Sequence, residues 1–533
     1  MNLPARFLPP FIILILALTF FASACRSPQA ISQIEVTIQA DGKTETLQIE
    51  RGSTVAEALK SVGLEAGPLD RTDPPAFEIL QDGDTIRLIR VSESFETQQV
   101  IIPFERQIVR SESLPEGETR LLQPGINGLE EITYRRVLED GIEVSNAPVK
   151  TIILKEPVPE IIMAGSQAAY APLSIPGRIA YLIGGNAWIM EGSTANRRPL
   201  ITSGDLDGRV FSLSPKGDWL LFTRKSDKPL DQEINTLWVM STTNASAKPI
   251  DLRVSNIVHY AGWVPGQITV VSYSTVEPRT TAPGWQANND FFKLDFGETG
   301  WVSKPEKVLE ASAGGIYGWW GTTFAWSNDG KRLAYARPDG IGLVDLEKGS
   351  FQPLFEITPL QTRSDWAWIP ALAWGNDQRT IYFVNHAPPP SLVSPEESPY
   401  FDLNALVLNS GTSLRLIPQT GMFAFPAASP GRPMGAEIGY QVAFLQAIFP
   451  NQSDTSRYRL VVMDRDGSNR RVLFPPADAL GLEPQTPVWS PVDHQGNLFL
   501  AVLYHGNLWL IDSASGACNQ VTGDGLISRL DWK

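Results

Sequence analysis

The sequence predicts a mainly β protein in which a ring of antiparallel sheets follows two small modules. Between Gly177 and Lys533, a short apolar stretch ending in Trp or Ser and a polar turn recurs about seven times, at spacings from about 43 to about 63 residues. Alternating strands follow each recurrence. One such four-stranded unit cannot bury both faces of its sheet alone and must stack on neighbours. The pattern therefore predicts a β-propeller over residues 177–533.

The number of blades follows from the opening stretches of the repeat. These are Phe211–Gly217, Tyr260–Gly266, Phe324–Gly330, Leu372–Asp377, Pro426–Gly431 and Pro487–Pro491. The first blade begins at Gly177 without such a strand, and Ile527–Trp532 supplies one at the chain's end. Pairing the two removes two exposed edges that would otherwise template aggregation. We predict seven blades, with six as the alternative if the weak unit at 426–431 is an insertion.

Tryptophans divide into two groups along the ring. Trp263, Trp326, Trp374, Trp489 and Trp532 occupy equivalent positions of the repeat, which predicts that they pack between blades. Six others fall outside the pattern, in predicted loops: Trp285, Trp301, Trp319, Trp320, Trp366 and Trp368. Exposed indoles stack on sugar rings and anchor protein interfaces. These six are candidate ligand-stacking residues, the alternative being loops folded back over the core.

Length and composition indicate a multidomain globular protein. At 533 residues the chain exceeds one ordinary core, and all fifteen Trp lie from Trp188 onward. The net charge of −14 disfavours nucleic acid as a partner, because its phosphates would be repelled.

The amino terminus predicts export. Arg6 precedes the apolar run Phe11–Ala24, which suits a secretory signal peptide over residues 1–24 and is short for a membrane span. The run leads to Ala22-Ser-Ala-Cys25, which resembles the lipobox of bacterial lipoproteins. That resemblance implies a lipid attached to Cys25 and anchorage to the membrane. A plainly cleaved signal and an uncleaved anchor are the alternatives.

Residues 33–93 have the pattern of a β-grasp module. Ile34–Ile38 alternates as a half-buried strand, and Thr54-Val-Ala-Glu57 has the spacing of a capping box. The helix that follows places Val55, Leu59 and Val62 on one face and stops at Gly63. The block resembles the ubiquitin-like module of resuscitation-promoting-factor-type proteins.

Residues 94–165 are rich in β signals, almost free of helix signals, and predicted to be elongated. Five glycines occur in order, within Leu114–Gly117, Pro124–Gly128, Asp140-Gly141 and Ile161–Gly165: Gly117, Gly125, Gly128, Gly141 and Gly165. Glycine suits turns that need positive φ or close backbone approach. The series resembles the five-glycine domain family of bacterial surface proteins. Residues 166–176 read as a linker to the ring.

The five-glycine resemblance implies attachment at the cell envelope through N-acetylglucosamine-containing polymers. Its glycines are structural, and the family supplies no catalytic residue to carry over. Some members associate through zinc, but this block contains no His or Cys and leaves only carboxylates such as Glu130 and Glu131. Because carboxylate-only zinc sites are uncommon, we expect no metal.

The segment Tyr458–Leu473 resembles the outer hairpin of the TolB-type propeller repeat, which implies a possible protein partner in the envelope. Within it, Asp464–Asn469 fits a hairpin turn better than a calcium loop, because its Gly comes too early and no bidentate Glu follows.

Catalytic signals are sparse. His259, His386, His494 and His505 are isolated, and neither a Gly-x-Ser-x-Gly elbow nor a phosphate-binding loop occurs. The sequence therefore predicts a non-catalytic, lipid-anchored envelope protein without cofactors, which binds wall glycan through one module and an unidentified ligand through its ring. The alternatives are a propeller enzyme acting on sugars or lactones at its axis, and an assembly factor docking another envelope protein.

Overall fold

The computed structural model describes residues 33–111, 114, 117–165, 170–244, 246–312, 314–389, 394–434 and 437–533. It is mainly β, as predicted, and divides into two compact units. The first comprises residues 1–107 with 123–161, and the second 108–122 with 162–533. Among the described residues, no helix is long and apolar enough to cross a membrane. The predicted signal peptide and Cys25 lie outside the described residues.

A four-stranded sheet and one helix begin the first unit. Its elements are β1 (Gln33–Ala40), β2 (Lys43–Glu50), α1 (Val55–Ser61), β3 (Arg71–Asp73) and β4 (Thr85–Ile89), with sheet order β2-β1-β4-β3. The capping box is present: the Thr54 hydroxyl accepts from the Glu57 amide, and the Glu57 carboxylate accepts from the Thr54 amide at 2.9 Å. Val55 and Leu59 are buried against the sheet, as their helical spacing predicts.

Long strands without helices follow. One sheet has the order β5-β8-β9 and comprises β5 (Val91–Ile102), β8 (Gly128–Glu139) and β9 (Ile142–Lys155). Every residue of β9 is exposed. A second sheet has the order β6-β10-β7 and comprises β6 (Arg106–Ser111), β7 (Thr119–Gln123) and β10 (Glu160–Gly165).

The described part of residues 170–533 contains seven consecutive antiparallel sheets of three or four strands. Sheet one joins β11 (Ser174–Ile183) and β12 (Asn186–Ile201) to the last strand of the chain, β41 (Ile527–Trp532). Sheet two comprises β13 (Leu206–Leu213), β14 (Trp219–Lys225), β15 (Asn235–Ser241) and β16 (Ile250–Ser255). Sheet three comprises β17 (Tyr260–Trp263), β18 (Val270–Ser274), β21 (Phe291–Asp295) and β22 (Glu306–Leu309), with a separate hairpin of β19 (Val276–Pro278) and β20 (Trp285–Ala287).

The remaining sheets also keep their strands in chain order. Sheet four comprises β23 (Thr323–Trp326), β24 (Leu333–Arg337), β25 (Gly340–Asp345) and β26 (Ser350–Glu356). Sheet five comprises β27 (Leu372–Trp374), β28 (Thr380–His386), β29 (Phe401–Val407) and β30 (Thr412–Ile417). Sheet six comprises β31 (Ala427–Ala428), β34 (Gln441–Ala447), β35 (Tyr458–Asp464) and β36 (Arg471–Phe474), with the hairpin β32 (Arg432–Met434) and β33 (Glu437–Gly439). Sheet seven comprises β37 (Val488–Trp489), β38 (Phe499–Tyr504), β39 (Asn507–Asp512) and β40 (Cys518–Gln520).

The end of the chain completes the sheet that starts the series, as the sequence predicts. β41 pairs antiparallel with β11, so that Trp532 lies opposite Ile179. A Cβ atom on Gly177 would lie 2.1 Å from the Lys533 carbonyl oxygen, so this position admits only glycine without a shift. The weak unit at 426–431 supplies β31, the first strand of sheet six.

The repeated tryptophans join neighbouring sheets, as predicted. The indole N–H of Trp263 donates to the Ser212 carbonyl at 3.1 Å, and those of Trp374 and Trp489 donate to the carbonyls of Ala325 and Ala427 at 2.9 Å. Each acceptor belongs to the first strand of the preceding sheet. Burying the ring while pairing its N–H avoids the cost of an unsatisfied buried donor.

Candidate functional site

Long connections gather at one end of sheets three to five. Because the strands are antiparallel, the link between second and third strands lies at the same end of a sheet as the link between sheets. Three such connections, residues 275–290, 310–322 and 357–371, carry five of the six candidate tryptophans, and the described part of a fourth, residues 387–400, contains Glu396. Trp301 is the exception, because it lies in the connection between β21 and β22, at the opposite end of sheet three.

Trp320 and Trp366 line one cavity of about 370 Å³, here called the aromatic pocket, together with Tyr317, Gln361 and Glu396. Trp320 ends a 3-10 helix, Gly318–Trp320, and Trp366 is 40% exposed. Two indoles, a phenol, an amide and a carboxylate are the chemical groups that sugar sites use, with flat faces for stacking and polar groups for hydroxyls.

His386 ties together two walls of the aromatic pocket. It is buried, and its Nδ1 and Nε2 each lie 2.8 Å from a carbonyl oxygen, of Thr358 and of Ser398 respectively. Both ring nitrogens are thus within hydrogen-bond distance of a backbone carbonyl, one on each of the two connections. The ring also stacks on Phe401, with centroids 4.9 Å apart. His386 therefore fixes the spacing of the two connections that form the pocket.

Glu396 supplies negative charge at the rim of the pocket. The Ser394 hydroxyl donates to its carboxylate and holds the pKa of that carboxyl below its ordinary value, and the charge of His386 contributes in the same direction. The backbone amide of Gln361 donates to the backbone carbonyl of Glu396 at 2.8 Å, and this bond joins the segment around Glu396 to the pocket wall. At neutral pH the pocket thus presents an ionised carboxylate beside two indoles.

Trp285 and Trp319 belong to a different cluster. Trp285 packs edge-on against His259, with centroids 4.5 Å apart, and the Arg279 guanidinium lies 6.0 Å from the Trp319 ring. Burial lowers the pKa of His259 to about 4, so its ring is neutral at pH 7. One face or edge of each indole is already occupied, and neither ring lines the aromatic pocket.

Trp368 does not fit its predicted role. It is 3% exposed, its indole N–H donates to the Met422 carbonyl at 3.1 Å, and its ring packs against Phe401 at 4.9 Å. It is therefore a core residue, and the prediction that it stacks on a ligand is wrong. No sequence pattern indicated Tyr317, Gln361 or Glu396 as pocket residues. Of the three, only Glu396 lies in a segment whose proline-rich composition predicts an exposed loop.

Four of the five glycines of the series occupy positions where another residue would be strained or would clash, for one of two physical reasons. Gly141, with φ of 79°, and Asp140, with φ of 48°, form the two-residue turn between β8 and β9, where both positions need the left-handed region. At Gly125 a Cβ atom would lie 2.3 Å from the Phe104 ring, and at Gly128 it would lie 2.6 Å from the Lys155 carbonyl oxygen. Gly117 lies outside the strands with φ of 90°, and Gly165 ends β10.

Among the residues that the structure describes, no group of three or more His, Cys, Asp or Glu side chains could hold a metal ion. Asp464–Asn469 forms the turn between β35 and β36, and the Asn469 amide donates to the Asp464 carboxylate at 2.6 Å.

Comparison with known proteins identifies both modules of the amino-terminal part. Residues 93–167 match the G5 domain, and residues 36–76 match the G5-linked ubiquitin-like domain. The chain contains a G5 domain. The resemblances that the sequence indicated for these two blocks are thereby confirmed.

Curated and solved relatives cover parts of the chain. Resuscitation-promoting factor Rpf2 of Corynebacterium glutamicum is 24% identical over 156 residues, which is 29% of this chain and 41% of that protein. The match thus spans less than half of the relative. The solved G5 domain of HP0197 is 24% identical and covers 14% of this chain and 99% of its own, with a TM-score of 0.14.

Similar solved structures of propeller-like fold include peptidases. The tricorn protease is 11% identical and covers 78% of this chain and 44% of its own, with a TM-score of 0.39. A prolyl endopeptidase and the acylaminoacyl peptidase of Pyrococcus horikoshii are 13% and 10% identical, cover 66% and 80% of this chain and 49% and 52% of their own, and have TM-scores of 0.38 and 0.36. These neighbours contradict the prediction that the protein is not an enzyme. At such TM-scores they identify neither a reaction nor a catalytic residue in this chain.

Proposed function

We propose that this protein acts outside the cytoplasm, bound to wall glycan that contains N-acetylglucosamine through its G5 domain and held at the membrane by a lipid on Cys25. The observation that carries the proposal is the G5 domain at residues 93–167. The G5 domain and the similarity to a resuscitation-promoting factor together point to an extracellular or cell-wall-associated protein.

The geometry of the β5-β8-β9 sheet supports polymer binding. β5 and β8 have twelve residues each, so the sheet is roughly 40 Å long at about 3.3 Å per residue. β9 is exposed throughout and most of β5 is too, so an extended chain could lie along this sheet. A glycan strand is a polymer of matching shape, and the polar side chains along the sheet can bond its hydroxyls.

We propose that the seven sheets of the second unit form a seven-bladed propeller whose aromatic pocket takes a second, sugar-containing ligand. Pairing of β41 with β11 supports ring closure, and the indoles of Trp320 and Trp366 support stacking on a sugar ring. A sugar-processing activity at the same pocket is the second candidate. It is favoured by the ionised Glu396 carboxylate, which could act as a base or nucleophile beside the stacked ring.

The test is sedimentation of the soluble chain, residues 26–533, with purified insoluble peptidoglycan. We expect retention well above that of albumin, and release by soluble N-acetylglucosamine oligomers. A Trp320→Ala/Trp366→Ala variant should keep this retention, whereas calorimetry with short oligosaccharides should show the loss of one of the two binding sites of the wild type, because the G5 site remains. Trp301→Ala removes an exposed indole away from the pocket and should change neither. A folded protein with no retention above albumin would remove the wall-binding proposal.

Release of reducing sugar from the same oligosaccharides distinguishes binding from processing. Turnover that Glu396→Gln abolishes, with oligosaccharide affinity kept, would establish the second candidate. Binding with no turnover would eliminate it for these substrates.

A further inference from the structure

Two turns of the second unit are built alike except for one side chain. Gly184–Gly185 joins β11 to β12, and His505–Gly506 joins β38 to β39. Their φ angles are 56° and 77° in the first turn and 51° and 70° in the second. All four values lie in the left-handed region that two-residue hairpin turns require.

The surroundings of the two turns match as closely. A Cβ on Gly185 would lie 2.2 Å from the Gly204 carbonyl oxygen, and one on Gly506 would lie 2.1 Å from that of Gly525. An asparagine follows each turn. The side-chain oxygen of Asn186 accepts from the backbone amide of Gly204 at 2.9 Å, and that of Asn507 accepts from the backbone amide of Gly525 at 2.8 Å. Because glycine serves the first position of this turn in sheet one with less strain, the fold does not need the imidazole of His505.

His505 borders a cavity of about 480 Å³, here called the seam pocket. Its other lining residues include Arg457, Glu483, Tyr504, Ser528 and Arg529. Ser528 and Arg529 belong to β41, the strand that completes sheet one, so the pocket lies where the first and last sheets meet. The exposed His505 ring rests on Tyr504, with centroids 4.1 Å apart.

The lining carries two guanidinium groups, of Arg457 and Arg529, and one carboxylate, of Glu483. The Arg529 guanidinium is fixed by the carbonyls of Gly208 at 2.8 Å and Ser528 at 2.9 Å, which hold it without neutralising its charge. Arg457 pairs with Glu483 at 2.5 Å, but both side chains are largely exposed, so the pair is weak and exchangeable. A Cβ on Gly481 would lie 2.6 Å from that of Arg457, so glycine here lets Arg457 approach the pocket.

We propose that the seam pocket binds a small anionic ligand through a carboxylate or phosphate group. Guanidinium groups match the planar or tetrahedral oxygens of such groups, and Arg529 is positioned for this contact before the ligand arrives. His505 adds a ring N–H donor, and Arg457 exchanges Glu483 for the ligand. The volume suits a ligand the size of one or two sugar rings.

The test is calorimetric titration of the soluble chain with three probes. N-acetylmuramic acid carries a carboxylate that N-acetylglucosamine lacks, and inorganic phosphate offers the tetrahedral anion alone. We expect at least one anion to bind ten-fold or more tighter than N-acetylglucosamine, with an affinity that falls as salt rises. Preference for N-acetylmuramic acid would indicate a carboxylated sugar, and preference for phosphate a phosphorylated ligand.

Three variants place the binding in the seam pocket. Arg529→Gln and Arg457→Gln should each lower the anion's affinity about ten-fold, whereas Arg470→Gln, at an exposed turn, should leave it unchanged. His505→Gly should weaken binding several-fold and leave the thermal midpoint intact, because glycine serves the equivalent turn of sheet one. Equal affinity for the neutral sugar and both anions, or equal effects of Arg529→Gln and Arg470→Gln, would overturn the proposal. Either result would leave wall retention through the G5 domain unaffected.

Discussion

Strands β9 and β35 show how differently the two units hold their sheets together. All fourteen residues of β9 are exposed, including Ile142 at 71% and Ile153 at 51%. In β35 five of seven residues are buried, and Tyr458, Leu460 and Val462 have no exposure. Burial contributes about 25 cal/mol per Å² of apolar surface, so β35 has a source of stability that β9 lacks. The sheet of β9 depends instead on its backbone ladder and on polar contacts.

Charged side chains take over part of that task in the first unit. The Arg90 guanidinium donates to Asp41 and Asp70, each at 2.8 Å, and to the Glu65 carbonyl at 2.7 Å. Arg90 is the single residue between β4 and β5, so these contacts join the ubiquitin-like module to the first strand of the G5 sheet. The second unit joins its sheets through buried indoles. The contrast therefore predicts that truncating an apolar side chain costs more in the sheets of the second unit than in the β5-β8-β9 sheet.

The largest effect is expected for Trp532→Ala. Trp532 is 1% exposed, and its indole N–H donates to the Pro176 carbonyl at 2.6 Å, where the last strand, β41, pairs with the first strand of the seven sheets, β11. Truncation leaves a cavity and an unpaired carbonyl and should cost about 3–5 kcal/mol of unfolding free energy. Tryptophan fluorescence during urea unfolding measures this, and it reports on residues 188–533 because all the tryptophans lie there.

Trp301→Ala is the matched control, since it removes the same side chain from a position that is 54% exposed. Its cost should stay within about 0.5 kcal/mol, as for ordinary surface substitutions. Similar costs for the two variants would show that Trp532 does not stabilise the pairing of β41 with β11.

Acid sensitivity should separate the two units next. All four histidines lie in the second unit, and burial beneath Gly321 lowers the pKa of His259 from 6.5 to about 4. Its Nε2 has no partner. Between these pH values the His259 imidazole binds a proton in the unfolded chain but stays neutral in the folded protein. Stability is therefore fully present above pH 6.5 and falls by about 3 kcal/mol as the pH drops to 4.

Urea unfolding of the wild type and of His259→Gln at several pH values isolates this effect, because carboxylate titration is common to both proteins. The difference in unfolding free energy between the two proteins should narrow by about 3 kcal/mol from pH 7 to pH 4. Parallel pH profiles would show that His259 can take up a proton in place, for instance by moving away from Gly321.

Much of this fold could be predicted from the sequence because the interactions that set it are made between residues close together in the chain. The capping box needs only Thr54 and Glu57, and the tryptophan repeat follows from positions along one strand. The candidate site depends on contacts that no local pattern encodes. Trp366 and Trp368 are two residues apart in the same loop, yet one lines the aromatic pocket and the other is buried against Phe401. Tyr317 and Glu396 reach the pocket from connections about 80 residues apart in the chain.

The smallest expected effect concerns Arg90. Its guanidinium, hydrogen-bonded to Asp41, lowers the pKa of that carboxyl, and it adds to the backbone amides of Gly67 and Val91 that lower the pKa of Asp70. Because Arg90 is about one-third exposed, water screens these pairs, and Arg90→Gln should cost only about 1 kcal/mol. Hydrogen exchange followed by mass spectrometry should then show amides of β1 and β4 exchanging about five-fold faster. Arg51→Gln, at an exposed turn of the same module, should leave exchange unchanged. If both variants behave alike, the backbone ladder from β4 into β5 joins the two modules without help from the ion pairs.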